Sequence, residues 1–196
     1  MQTPRKNKIL LSKKGGSNHG FTLIEIMVAV SIFSLIMVIS MGSILSVFDA
    51  NKKSQTLRTV MDNMNFTLEG MTRTIRFGRN YHCGSGGDTT QPYDCPSGAN
   101  SITLQAVNGS QIRYRLNGGR IGRTINNGTE YFVTSPDITI QSLAFRVFGS
   151  LLYNNGSDLL QPQVIITVKG FAGTKPSTQS SFSLETTVSQ RRFDFQ

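Results

Sequence analysis

A single carboxylate, Glu25, stands just inside the start of an apolar run. From Ile26 to Phe48 the chain has 23 residues with no charge and no proline. Carrying an unpaired carboxylate into hydrocarbon costs several kcal/mol, so an acid at this position calls for a cation. The nearest one the chain could supply is a primary amine, made by cutting between Gly20 and Phe21. It has to come from a neighbouring copy or a homologous chain, because a terminus four residues away on the same helix is poorly placed for a strong, dry pair. The simpler alternative is an interfacial acid that reaches out to water.

A second group with chemical potential lies farther on. Cys83 and Cys95 flank a glycine-rich stretch, with His82 beside the first of them. In a domain outside the cytoplasm the natural reading is a disulfide, which would close a short loop and stabilise by about 2–4 kcal/mol. The competing readings are two free thiols, or half a metal site with His82, for which the chain lacks a second cysteine pair. Asp88 and Asp94 within the same loop could hold calcium, although no third acid lies near. That aside, the acids of the head, Asp88, Asp94, Glu130, Asp137, Asp158, Glu185 and Asp194, are scattered and read as solvated surface groups. The two histidines, His19 and His82, do not make a triad, and no H-E-x-x-H, G-x-S-x-G or phosphate-loop pattern occurs. The expectation is no enzyme, no cofactor and no metal.

The elements that must position Glu25 follow from length and charge. Twenty-three apolar residues suffice to cross a hydrocarbon core of roughly 30 Å as a helix. The segment before them, 1–20, holds Arg5, Lys6, Lys8, Lys13 and Lys14 and no acid. Such an excess keeps that end in the cytoplasm. It has no apolar core followed by a small-x-small cut site, so it is not an ordinary secretory signal. Five of the 20 basic residues lie there, leaving 15 against 11 acids, so the formal +9 falls to about +4 once they are removed. That tilt does not demand nucleic acid as a partner.

Gly20-Phe21-Thr22-Leu23-Ile24-Glu25, followed by the uninterrupted apolar run, resembles the class III signal of type IV pilins and the related pseudopilins of type II secretion. The resemblance covers about the first 60 residues. It implies that a membrane aspartyl peptidase, the prepilin peptidase, removes residues 1–20 by cutting after Gly20, and that the new terminus at Phe21 is N-methylated. In a filament, Glu25 would face the Phe21 amine of an adjacent subunit. Major pilins often carry a helix-loosening proline where this chain has Gly42, which could permit similar local melting. The retained Glu25 argues against the secretion-system tip subunit that lacks this acid.

Residues 49–78 read as the same helix continued into water. Leu57, Val60, Met61, Met64, Leu68, Met71 and Ile75 fall at steps of mostly three and four and make one stripe for packing on a sheet. Gly78 is a fitting stop, with Arg73, Arg76 and Arg79 at the negative end of the dipole. Residues 79–100 read as a loop. Beyond it the period becomes two: Ser101–Val107, Gln111–Leu116, Arg120–Ile125 and Glu130–Thr134, separated by Asn/Gly turns, predict a four-stranded meander. Asp137–Phe148, with a bend or a break at Gln141-Ser142, then Gln163–Phe171 and Thr178–Phe193, predict a second sheet of three strands.

The expected fold is thus α+β and pilin-like: a leader (1–20), a membrane or filament-core helix (21–48), an amphipathic helix (49–78) and a β head (79–196) of about seven strands in two antiparallel sheets. Met71-Thr72-Arg73-Thr74-Ile75-Arg76, Leu143-Ala144-Phe145-Arg146-Val147, Leu160-Gln161-Pro162-Gln163-Val164 and Thr187-Val188-Ser189-Gln190-Arg191-Arg192 resemble J-type minor pseudopilins and W-type minor pilins. Those families often have an acid at the place of Thr74 and a tryptophan ahead of the proline strand, and this chain has no tryptophan. The resemblance implies a minor subunit that initiates, caps or decorates a pilus or pseudopilus, anchored in the inner membrane with its head outside the cytoplasm. The alternative is a single-pass anchored protein with a ligand- or DNA-binding head, as in competence pseudopilins.

Overall fold

A computed structural model of the chain describes residues 20–87, 89–151, 160–173 and 179–191. The expected leader up to His19, Asp88, residues 152–159 with Asp158, residues 174–178, and the end with Asp194 lie outside the described residues. The chain divides into two compact units, Met1–Leu45 and Ser46–Gln196. One helix, α1, runs Leu23–Phe77, and by length and composition it can cross a membrane.

Within the first unit the helix is apolar on all sides, and its side chains are exposed. Its serines do not break that character. Ser31 Oγ donates to Met27 O and Ser34 Oγ to Val30 O, both at 2.8 Å. A hydroxyl bonded four residues back on its own helix asks nothing of the surroundings, which suits a segment facing lipid. The helix continues through Gly42 without interruption.

Within the second unit α1 acquires a buried side: Val60, Met64, Thr67, Met71 and Ile75. Leu68 packs against this core as a half-buried neighbour. Leu57 and Met61, expected in the stripe, stay 42% and 39% exposed. The stripe drifts, because a 3.6-residue turn cannot keep every three-four step on one line. Thr67 takes a place that apolar counting missed, and its hydroxyl donates to Val133 O at 2.9 Å.

The helix ends at Phe77 as expected, but not by a left-handed glycine. Gly78 does not have a positive φ. A Cβ there would lie 2.5 Å from Leu104 Cδ1 and 3.2 Å from Thr74 O, so the residue is small because the chain turns tightly against the next strands.

Eight strands follow among the described residues: β1 Arg79–Cys83, β2 Ser101–Gln105, β3 Gln111–Asn117, β4 Arg120–Ile125, β5 Tyr131–Phe132, β6 Ile138–Phe148, β7 Gln163–Ala172 and β8 Ser180–Ser189. They form an antiparallel sheet in the order β1-β2-β3-β4-β5 and a second in the order β6-β7-β8. The predicted meander is present with one addition. β1 lies where a loop was expected and pairs with β2 across an irregularity between Arg79 and His82. Asn80 in this bulge has φ 54°. With only Tyr81 and Cys83 pointing inward, so short a run has no visible period. β3 and β4 are joined by Gly118 and Gly119, with φ 55° and 73°, the pair of positive values a two-residue hairpin needs. β6 is one strand whose register shifts between Ile140 and Ser142, so the irregularity expected at Gln141-Ser142 is a bulge and not a break.

The core joins both sheets to the helix. Phe145, Val164, Ile166 and Val168 from the second sheet, Ile102, Leu104, Tyr114 and Ile121 from the first, and Met64, Met71 and Ile75 from α1 are all buried. Tyr81 is buried too, and its hydroxyl donates to Ile75 O at 2.7 Å. Burial pushes its phenol well above the ordinary value, so it stays a neutral donor holding the helix end to β1.

Candidate processing and assembly site

Thr22 precedes the first helical residue, and the two ends of its segment serve each other. Glu25 N donates to Thr22 Oγ1 at 3.3 Å, while Thr22 N donates to Glu25 Oε2 at 3.4 Å. Thr22 Oγ1 also lies 3.5 Å from the same carboxylate oxygen. This is the reciprocal arrangement of a capping box, Thr-x-x-Glu, and it gives Glu25 a partner on its own helix besides the cation expected for it. The carboxylate also sits at the positive end of the helix dipole. All of these contacts are long and exposed, so the box orients the carboxylate without fully neutralising it.

Gly20 and Phe21 precede the helix and carry no helical hydrogen bonds of their own. Phe21 is 79% exposed. A Cβ placed on Gly20 meets no heavy atom within 4 Å. Among the described residues none packs on Gly20, and none requires glycine there. The three expected residues lie in one short segment, with Glu25 in the first turn of the helix that Phe21 leads.

The other expected pair is also made. Cys83, at the end of β1, is bonded to Cys95, with Cα atoms 5.8 Å apart. The segment it closes is sewn to both sheets. Cys83 N donates to Tyr93 O at 3.1 Å and Tyr93 N to Tyr81 O at 2.9 Å, on the β1 side. On the β6 side, Cys95 N donates to Val147 O, and Ala99 and Phe145 exchange backbone bonds of 2.9 and 2.7 Å. His82 does not join the cysteines as a ligand; its Nδ1 lies 2.8 Å from Gln91 O. No group of three His, Cys, Asp or Glu side chains that could hold a metal occurs among the described residues.

Asp94 has a role that counting acids missed. Its carboxylate accepts from Gly149 N and Ser150 N, both at 2.8 Å, and so ties the end of β6 to the disulfide segment. Asp94→Ala strands two backbone donors and should destabilise the head by about 2–3 kcal/mol, measured as a shift of the denaturation midpoint of the full chain in detergent. An unchanged midpoint would contradict this role.

Glu130, expected as a solvated acid, also has partners. Arg115 reaches it with Nε at 2.6 Å and Nη2 at 3.0 Å, and Asn117 Nδ2 donates to it at 2.6 Å. The Arg115 hydrogen bond, aided by that of Asn117, holds its carboxyl below the ordinary value against a smaller opposing effect of burial. The stability this supplies is complete above the unfolded carboxylate value of about 4.3. It is lost as pH falls through the lower folded value. Arg115 is 47% exposed, so the contribution is only about 1 kcal/mol. Glu130→Gln should lower the midpoint at pH 7 and lessen its fall below pH of about 4; parallel curves for both proteins would rule this out.

Neither a curated protein nor a solved structure matches the chain. A match does occur at the N-terminus, to the prokaryotic N-terminal methylation motif, over residues 16–41. These residues contain Gly20, Phe21 and Glu25 and the first part of the apolar helix. The chain therefore carries the prepilin-type cleavage and methylation signal of type IV pilins and pseudopilins, ahead of a pilin-like α+β layout.

Proposed function

We propose that this protein is a minor pilin or pseudopilin subunit, cut after Gly20, methylated at Phe21 and built into a type IV pilus or a type II secretion pseudopilus, which it initiates or caps. The reading rests on one observation above all: the exposed Gly20–Phe21 bond leads directly into a helix whose first turn presents Glu25 and whose next residues are greasy on every side. Before assembly the same helix anchors the subunit in the inner membrane, with the head outside the cytoplasm, where the Cys83–Cys95 bond persists. The prepilin peptidase and other pilin-type subunits are the partners. The role is structural, and no residue is assigned to catalysis.

In a filament the carboxylate of Glu25 receives the Phe21 amine of a neighbour, which rewards one axial register between helices. Removing one member of such a dry pair costs about 3–5 kcal/mol. Glu25→Ala should leave cleavage intact yet lower incorporation into sheared filaments or pseudopili by at least about tenfold. The capping box adds a control: Thr22→Ala removes the local cap while keeping the acid, and so should reduce incorporation far less. Equal loss in both variants would assign Glu25 to the helix start alone. Full incorporation of Glu25→Ala would remove it from assembly and favour the anchored, ligand-binding alternative.

A further inference from the structure

The two outer edges of the three-stranded sheet differ in what they bond. On β6 the outward backbone groups are used: Phe145 pairs with Ala99, Val147 O accepts from Cys95 N, and Ile140 N donates to Gly119 O at 2.7 Å. β6 is therefore an inner strand in all but sheet order.

β8 is a true edge. It pairs with β7 from Gln163↔Ser189 to Ala172↔Ser180 with no shift of register. Just past its end, Gln190 N donates to Pro162 O at 2.9 Å. Because bonded and non-bonded pairs alternate along an antiparallel ladder, that contact fixes the phase of the whole strand. Even-numbered residues spend their backbone groups on β7. Ser181, Ser183, Glu185, Thr187 and Ser189 turn theirs outward, and all five have exposed side chains. Among the described residues no backbone partner meets this row; the outward side is next used at Arg191, whose N–H donates to Arg76 O at 2.8 Å.

Exposed edges are ordinarily blunted by shortness, bulges, proline or lysine. The other sheet follows that rule, with the five-residue, bulged β1 and the two-residue β5 at its margins. β8 has ten residues, no bulge, no proline and no lysine.

We propose that the outer edge of β8 accepts an extended strand from a different polypeptide, continuing the sheet by backbone hydrogen bonds. Glu185 selects against a second copy of this chain. It is the only charge in the strand and stands at the middle of the outward row, with its Oε2 held by Thr167 Oγ1 at 3.0 Å. Pairing two β8 strands symmetrically about their middle, or in parallel register, sets Glu185 against Glu185, which is repulsive. The fitting strand carries Lys or Arg facing Glu185. Its other face is apolar, because Leu184 and Thr186 are only half-covered on the core side, between buried Phe182 and Val188. This surface does not depend on how the N-terminus is processed.

The test uses the full-length protein in its own membrane, with a photoreactive amino acid placed at Ser183 or at Thr187 and the cross-linked peptides mapped. The expected adducts fall in one segment of one other polypeptide, displaced by about four residues between the two probe positions, as paired strands require. With the probe at Ser183, Thr187→Pro removes a donor that β7 does not use, and Glu185→Lys reverses the charge without touching the backbone. Each should lower the adduct yield about tenfold, and Glu185→Lys should leave the melting temperature of the extracted protein unchanged. No adduct, adducts to a second copy, adducts scattered over many segments, or a yield unmoved by both substitutions would overturn the proposal. The terminal residue is determined on the same sample, so an uncut chain with strand-like adducts would refute the processing reading and leave this one standing.

Discussion

A Gly20→Val chain should keep residues 1–20 and accumulate uncut in the membrane, with little or no mature form. The expectation is sharp because the substitution is innocuous to the fold. Gly20 lies before the helix, and an added Cβ meets nothing within 4 Å. Any loss of processing must arise where the bond enters the peptidase, which needs a residue without a side chain before the cut. Retention of the five leader cations then keeps a charged segment attached to the helix that would pack in a filament core. Desolvating them there is prohibitive, so the uncut chain should also fail to assemble. Processing at the wild-type level in Gly20→Val, read by immunoblot mobility and intact mass, would show that the bond between Gly20 and Phe21 is not the one cut.

The second large effect lies in the head. The Cys83–Cys95 bond spans a sequence separation of 12. A closed loop of that size stabilises by about 3 kcal/mol through the unfolded chain alone. Cys83 is also buried, and its segment joins β1 to β6 through Tyr93, Cys95 and Ala99. The double variant Cys83→Ser/Cys95→Ser should therefore lower the melting temperature of the full chain in detergent by roughly 6–12 °C. Reductant should produce a similar drop in the wild type and none in the variant. A melting curve insensitive to both would mean that the strands and Asp94 hold this segment unaided.

Much of this was legible in the sequence because long periodic patterns are hard to misread. The uncharged run Ile26–Phe48 and the stripe around Met64, Met71 and Ile75 both lie on the observed helix. The Asn/Gly turns separated β2, β3 and β4 correctly, and Gln141-Ser142 marked the bulge in β6. What escaped notice depends on contacts far apart in sequence. β1 has too few inward residues to show a period and exists because β2 offers it an edge. Thr67 is polar, yet it is buried because Val133 O needs a donor. Asp94 looked like a surface acid until the end of β6 was placed beside it. The exception is the Thr22–Glu25 box, whose spacing was visible in the sequence. It shows that Glu25 has a local function in each subunit, beside the intermolecular one proposed for it.

The direct measurement is the intact mass and first residue of the full chain purified from its native membrane. Cleavage after Gly20 predicts a protein shortened by 20 residues that begins with N-methylated Phe21. A chain still beginning at Met1 in the functional, membrane-resident pool would contradict the account, because Glu25 would then have no new amine to meet.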